Sequence, residues 1–435
     1  MTQLRAIWWI ALVFTFFMLW VEWTHFVQRH EAGDTAITPT QQSSASGQSQ
    51  QAGDVPQGQP KVAGVENVPN AVAQPSEGRV TVKTDLFTIE FDRKGADLRF
   101  ASLNDYAVSL EDKSAFTLMS DQSPYLFLAQ SGFSGQTGTA PTHHDVFTSL
   151  ANDHQLADDA QELRVPFTWE KDGIKVEKTY IFKRNSYVIG LEVKVTNQSG
   201  QTWQASPYTQ LVRNNYDPSA SFWLPTYTGG ALYDPINKFD KYDLSDVTQQ
   251  PISQDSTGGW LAMMQHYFLA AVVPDKDANL HYYGKALDAN RMALGVVAQP
   301  LIIATGESAT NSVQLFIGPK LQNELEALAP GLDLVVDYGV LAFMATPMFW
   351  VIEFLNNLVE PISGLWSWGW AIILVTILLK AAFYKLSEAG YKSMANLRKL
   401  TPRLQHLKDN YSHDKMLFQQ KMMELYKTEK INPLG

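Results

Sequence analysis

Residues 364–384, GLWSWGWAIILVTILLKAAFY, carry a single charge, Lys380, in a stretch about 31 Å long as a helix at ~1.5 Å per residue. A bilayer core is about 30 Å thick, so a membrane-crossing helix is predicted here. Trp366, Trp368 and Trp370 mark one interface of that span, and Tyr384 with Lys385 the other. The chain also opens on an apolar stretch. Residues 7–21 hold no charge, and residues 1–27 together suffice for a first span. A cleaved export signal competes with an anchor, but the stretch is long, rich in aromatics and followed by no small-x-small cleavage site. Either reading exports what comes next. Charge is distributed to match. From Lys380 onward there are 11 Lys and Arg against 5 Asp and Glu, although the whole chain carries −10. Basic residues collect on the cytoplasmic side of a membrane, and an overall negative charge argues against a nucleic-acid binder.

Two regions lie between the spans. Residues 28–78, with runs such as QQSSASGQSQQAGDVPQGQP, have too little apolar surface to offset ordering entropy and are predicted as a disordered tether. From residue 79 apolar positions alternate. Val165, Phe167 and Trp169 lead to Lys171-Asp172-Gly173; Ile174, Val176, Tyr180 and Phe182 follow. After Arg184-Asn185-Ser186 come Ile189, Leu191, Val193 and Val195. Period-2 runs joined by such turns predict an antiparallel meander. Helical periodicity is nearly absent before residues 321–330, so residues 79–331 are predicted as one large antiparallel β-sandwich.

Residues 332–363 read as a linker and an amphipathic helix. Thr346-Pro347 has the form of an N-cap with a first-turn proline, and Pro361 is expected to end the helix. Met348, Val351, Ile352, Leu355 and Leu358 share an apolar face; Glu353, Asn356, Asn357 and Glu360 share the other. Such a helix lies in the membrane interface and does not cross it. Residues 385–435 read as a basic helical hairpin. Met394, Leu397, Leu400, Leu404 and Leu407 form one stripe, with Thr401-Pro402 restarting the helix midway; Phe418, Met422, Leu425 and Tyr426 form the second. Lys392, Arg398, Lys399, Arg403 and Lys408 are its outward charges. They fit attraction to anionic headgroups, at ~1 kcal/mol per residue, or docking of a cytoplasmic partner.

Enzyme signatures are missing or weak. The absence of cysteine excludes disulfides, thiolate nucleophiles and Cys-ligated metals. His143-His144 are expected to diverge, and Asp145 adds one carboxylate, so a plain loop is favoured over a metal site. Asp333 and Asp337 are expected on a strand or linker, and Gly258-Gly259-Trp260 is a turn feeding a strand. Paired carboxylates brought together by the fold remain open. No cofactor, metal or catalytic residue is assigned. Lys380 is the remaining candidate. A charge near mid-membrane costs ~2.5–3.5 kcal/mol, so it either snorkels to the headgroups or faces a water-filled cavity.

The stretches WGWAIILVTILLKAAFYKLSEAGYKSMANLRKLTPRLQHLK and KMMELYKTEKINPLG resemble the second span and first cytoplasmic loop of the bacterial YidC membrane-protein insertases. GGWLAMMQHYFLAAVVP and LDLVVDYGVLAFMATPMF resemble the exported domain and interfacial helix of the Gram-negative type. The resemblance implies a mutarotase-like β-supersandwich in the periplasm, without mutarotase activity, and an inner-membrane, multi-pass protein with residues 28–363 periplasmic. It implies a hydrophilic intramembrane groove in which a positive residue, here Lys380, attracts polar segments of a substrate. Nascent membrane proteins, the Sec translocon and lipids are the partners it implies, with the ribosome and signal-recognition machinery at the hairpin. The family's charge is most often Arg; Lys lacks the planar five-donor fork. Where the family has Tyr-Pro-Leu-Thr, this chain has Tyr384-Lys385-Leu386-Ser387, and the helix is expected to run on into the loop. The chain stops at Gly435, inside the family's Asn-Pro-x-Gly-Gly motif, so a fragment lacking four further spans is expected, unable to insert proteins alone.

Two other functions fit the sequence. A membrane-anchored carbohydrate-binding or carbohydrate-processing protein predicts a cleft of convergent acids and His. A structural partner of a translocation channel predicts activity that survives changes at Lys380 but not deletions within residues 80–330.

Overall fold

The Asp172-Gly173 turn shows how the sequence builds its sheets. Both residues take positive φ, 50° and 76°, the pair of left-handed conformations that a two-residue hairpin needs to match strand twist. Lys171 pairs with Ile174 across it, and strand Ile174–Lys183 pairs on its other side with Val188–Asn197. This computed structural model describes residues 78–135, 140–216, 227–336, 338, 342–411 and 415–428. The predicted first span and all but the last residue of the predicted tether lie outside the described residues.

Two sheets form the sandwich. The eight-stranded sheet runs, edge to edge, Lys238–Tyr242, Gly229–Asp234, Trp260–Met264, Phe268–Pro274, Ser308–Pro319, Val188–Asn197, Ile174–Lys183, Glu162–Lys171. The eleven-stranded sheet starts at edge strand Ile252–Thr257, passes through Asn279–Ala286, Arg291–Ala298, Trp203–Asn214, Phe127–Gly135, Asp97–Ala107, Phe87–Asp92 and Arg79–Lys83, and ends at Asp153–Gln155. Leu301–Ile303 and Ala115–Met119 join it as side branches. One pairing departs from the antiparallel expectation: Arg79–Lys83 runs parallel to Asp153–Gln155. A parallel neighbour needs a long crossover, and here four strands of the same sheet, from Phe87 to Gly135, separate the two in sequence.

Aromatic rings fill the space between the sheets. Phe91 lies 4.2 Å from Tyr180 and 5.4 Å from Phe167, centre to centre, contacts that add ~0.5–1.5 kcal/mol each beyond area burial. A charged residue shares this interior. Lys178 occupies an inward position of its strand and is fully buried. Its ammonium donates to the carbonyls of Gly95 and Ser131, both at 2.7 Å, and to the Ser131 hydroxyl at 3.0 Å. Burial lowers its pKa to about 8, against the pull of Asp97 and Asp145. Burial likewise raises the Asp97 carboxyl, against Arg99, His143 and Lys178. Gln130 donates to Asp97 at 2.9 Å and accepts from Gln210, which in turn accepts from the Tyr283 hydroxyl at 2.6 Å.

His143-His144 do lie in a loop, but they do not diverge. Their ring centres are 4.1 Å apart, and the buried His143 Nδ1 is 2.6 Å from the Tyr208 hydroxyl. The cause is a tight turn: Asp145 accepts from both the N–H and the hydroxyl of Thr142, curling the segment onto itself. Asp333 stands in the 3-10 turn Leu332–Val335 rather than in a strand, and Asp337 lies outside the described residues.

Six helices are described: α1 (Leu244–Gln249), α2 (Gln322–Leu328), α3 (Ala342–Ser363), α4 (Ser367–Ala382), α5 (Tyr384–Tyr411) and α6 (Lys415–Thr428). Three expected breaks fall elsewhere. α3 begins at Ala342, so Pro347 stands inside it, and Pro361 stands in its last turn. Termination comes instead at Gly364, whose φ of 53° is the left-handed conformation that closes helices. Pro402 is inside α5, which continues through it; the carbonyl four residues back is on exposed Arg398, where water can satisfy it. The predicted 21-residue span is also shorter than expected. Residues Gly364–Trp366 form a 3-10 turn, α4 has 16 residues, and the axis bends by 54° between α4 and the start of α5. Among the described residues no single helix is long and apolar enough to cross a membrane, and the bent pair passes that test together.

Candidate functional site

α3 has three sides, each with its own chemistry. Toward α4 it buries Asn356, with Ile352 and Val359 half-buried; α4 answers with Ser367, Ala371 and Val375, one every four residues. Small residues at that spacing let two helix backbones approach closely. A polar edge follows. Glu353 accepts from the Asn323 amide of α2 at 2.8 Å, and the Tyr338 hydroxyl donates to Gln322 of α2 at 3.2 Å, so two hydrogen bonds tie α2 to α3 and its leading segment. The remaining arc is apolar and uncovered: Phe343, Trp350, Phe354, Leu358 and Ile362 are all exposed, Trp350 by 77%.

The predicted face of α3 is therefore split. Met348 and Leu358 are exposed, while Val351, Ile352 and Leu355 are half-buried toward the helix pair. Sequence reading missed Trp350 and Phe354, although their spacing of four was visible. It also placed Asn356 on a solvated face. Its Oδ1 is buried and has no partner among the described residues, because α4 covers that side.

α4 is apolar and mostly exposed. Trp368, Trp370, Ile372, Ile373, Ile377 and Leu378 all point outward. Lys380 stands on this exposed surface in the last turn, where a cation complements the helix dipole by ~0.3–1 kcal/mol. No ion pair to it is formed among the described residues. Where α3 turns into α4, a groove of about 440 Å³ is lined by Val359, Ile362, Ser363, Trp366 and Trp370. α4 thus presents tryptophans at one end and a lone ammonium near the other, on a surface otherwise suited to hydrocarbon.

Beyond the bend, Lys392, Arg398, Arg403 and Lys408 are exposed on α5, and the side chain of Lys399 lies outside the described residues. Lys392 donates to Glu388 at 2.6 Å. Leu400 is buried, and Leu404, Leu407, Phe418, Met422, Leu425 and Tyr426 are half-buried between α5 and α6. Met394 is exposed, and the Leu397 side chain lies outside the described residues. Lys380 and the basic row are on different helices, separated by the bend.

Comparison with known proteins places this geometry. Residues 79–351 match the family described as the YidC periplasmic domain, and residues 358–435 match the 60Kd inner membrane protein family. The Membrane protein insertase YidC of Methylobacillus flagellatus is 39% identical, over 99% of this chain and 76% of its own length. That of Methylococcus capsulatus is 40% identical, over 96% of this chain and 75% of its own length. That of Ruthia magnifica is 43% identical, over 84% of this chain and 66% of its own length. Among solved structures, a galactose mutarotase-like protein from Lactobacillus casei is 9% identical with a TM-score of 0.38, over 55% of this chain and all of that one. With an exported-type sandwich, an apolar helix pair and near-full-length identity of this order, the chain belongs to the YidC family of membrane protein insertases.

Proposed function

We propose that the chain serves the insertion and folding of inner-membrane proteins, with Lys380 as the charge that draws polar segments of a nascent chain into a hydrophilic groove. The observation that carries this reading is Lys380 itself: an ammonium on the exposed surface of an otherwise apolar helix, with no carboxylate bound to it among the described residues. In a wet groove the attraction between such a cation and a carboxylate is worth about 3 kcal/mol at 6 Å and an effective dielectric of ~20. That is comparable to the penalty for placing one acidic residue in the membrane. No covalent step is needed.

In this reading α4 with the start of α5 forms the second span, residues 1–27 the first, and residues 28–363 are periplasmic. α3 lies in the outer interface with Trp350 and Phe354 toward lipid. The basic α5–α6 pair meets headgroups, the ribosome or signal-recognition machinery in the cytoplasm, and the sandwich is free to meet Sec components. The carbohydrate reading is not favoured, since the relatives quoted carry the insertase name.

The experiment is a photo-crosslinking residue at position 380, with ribosome-held nascent membrane proteins as bait. Crosslinks to the nascent chain, lost once its exported segment has crossed, are the expected result. Crosslinks to lipid alone would make Lys380 a snorkelling residue and end the proposal.

A further inference from the structure

A row of side chains crosses the outer side of the eight-stranded sheet. Tyr233 stands opposite Trp260 and Val273 opposite Gln314 in the strand register, and the pairing of Leu261 with Val272 sets Trp260 beside Val273. Opposed residues share a face, and exposed Gln314 shows that this one looks outward. The end of α2 covers part of the row, where the Trp260 indole N–H donates to the Pro330 carbonyl. Beside that contact lies a cleft of about 650 Å³, floored by Tyr233, Trp260 and Val273 and walled by Leu328, Pro330 and Gln314. We propose that it holds an extended segment of this chain, residues 62–69 (Val-Ala-Gly-Val-Glu-Asn-Val-Pro), which precede the sandwich. The proposal is independent of the role of Lys380.

The cleft has the chemistry of a peptide site. Tyr233 stacks on Trp260 with ring planes 7° apart, and Pro235 and Pro274 line it as well. The Tyr233 hydroxyl and the Gln314 amide form no hydrogen bond among the described residues, so both remain to bond a peptide backbone. Aromatic rings flanked by such groups select an extended polyproline II segment, which carries its own unbonded carbonyls. Sequence selects the segment. Residues 28–54 contain no valine and one proline; residues 55–76 contain five valines and four prolines. A plain spacer needs neither. Val62, Val65 and Val68 recur every third residue, the repeat of a polyproline II helix, so they share one apolar side. Glu66 is the one acid in residues 55–76, and Lys276 at the cleft forms no ion pair among the described residues. Reach is sufficient. Val68 is 11 residues before Arg79, a contour of roughly 35 Å, against a radius of gyration of about 18 Å for a domain of this size.

The chain has no cysteine, so a pair introduced into the full chain in nanodiscs holds its only thiols, and the rate of disulfide closure reports proximity. Asn67→Cys with Ser312→Cys, the exposed cleft residue two before Gln314 on the same face, is expected to close at least tenfold faster than Ser43→Cys with Ser312→Cys. It should also outpace Asn67→Cys with Leu150→Cys. That exposed residue belongs to the loop whose Asn152 carbonyl accepts from Thr81, next to where the segment joins the sandwich. Adding Val65→Asp, which lies outside the sandwich and leaves its fold intact, should bring the first rate down to the controls. Equal closure in the three pairs, or closure unchanged by Val65→Asp, would overturn the proposal. A photo-crosslinker at position 314 that captures a nascent chain or lipid in preference to residues 62–69 would give the cleft to another occupant and likewise reject it.

Discussion

The amide of Asn323 donates to the Glu353 carboxylate across 2.8 Å, joining the last helix of the sandwich to the middle of α3. Both side chains are accessible to water, so the bond is worth no more than ~1 kcal/mol. Its value is positional. Asn323→Leu is expected to raise hydrogen exchange in the first three turns of α3 by several-fold, while the unfolding midpoint of the sandwich stays within ~1 kcal/mol of the parent. Unchanged exchange would show that α3 is held by other contacts.

Lys178 offers a test in pH. Its folded pKa of about 8 lies below the ordinary lysine value of 10.5, so between those values the unfolded chain holds the extra proton. Stability contributed through this residue therefore rises with pH from about 8 to 10.5, by on the order of 3 kcal/mol, and is constant below that window. Denaturant titrations of the parent and of Lys178→Met should differ in slope across it. At pH 7 the variant is expected to lose about 3 kcal/mol, because two carbonyls lose a donor and the buried Asp97 loses one of the charges that offset its burial, keeping its ion pair with Arg99. Adding Asp97→Asn should recover part of the loss.

Charge reversal at position 380 should act on contact with substrate. With a photo-crosslinker at exposed Ile377, Lys380→Glu is expected to lower crosslinking to a nascent chain bearing an acidic exported segment by tenfold or more. Lys380→Arg should retain it. Equal yields across the series would remove charge from the mechanism.

Asn356 presents the opposite case, a polar atom that costs stability. Its Oδ1 is buried and has no hydrogen-bond partner among the described residues. Asn356→Leu is expected to stabilise the helix pair by ~1 kcal/mol, read as a higher melting temperature in detergent. A destabilised variant would mean that the amide has a bonding role in the membrane.

Gly259 cannot be replaced cheaply. Its φ is 101°, and a Cβ there would run into the Tyr233 carbonyl. The residue also delivers Trp260, whose indole N–H donates to the Pro330 carbonyl at 3.1 Å while its ring stacks on Tyr233. Gly259→Ala is expected to cost more than ~1–2 kcal/mol, measured by denaturant unfolding of the full chain.

The local code of the sandwich was readable because alternation and turn chemistry act over a few residues. Val165, Phe167 and Trp169 face inward as their period demands, and Asp172-Gly173 turns where a left-handed pair is required. Lys178 was not readable. The inward set of its strand passes through a charged position, and the carbonyls that accept it come from residues 95 and 131. Strand order was hidden for the same reason, since Trp203–Asn214 lies between partners that are each about 80 residues away, one before it and one after. Among the helices, composition marked Lys380 and the apolar stretch around it. It did not mark the bend after Ala382, because no proline or glycine stands there. Asn356 was misplaced because a helical wheel assigns faces relative to water, and a second helix occupies that side.

Strand Arg79–Lys83, held by Phe87–Asp92 on one side and Asp153–Gln155 on the other, is where the chain from the first apolar stretch enters the sandwich. Arg79 is itself clamped by Glu90 at 2.6 Å and Asp121 at 2.7 Å. A pull on the preceding chain directed along this strand loads both ladders in shear, so that their hydrogen bonds must yield together rather than one by one. The sandwich thereby has a mechanically resistant end at its entry, able to stay folded while the segment before it is under tension.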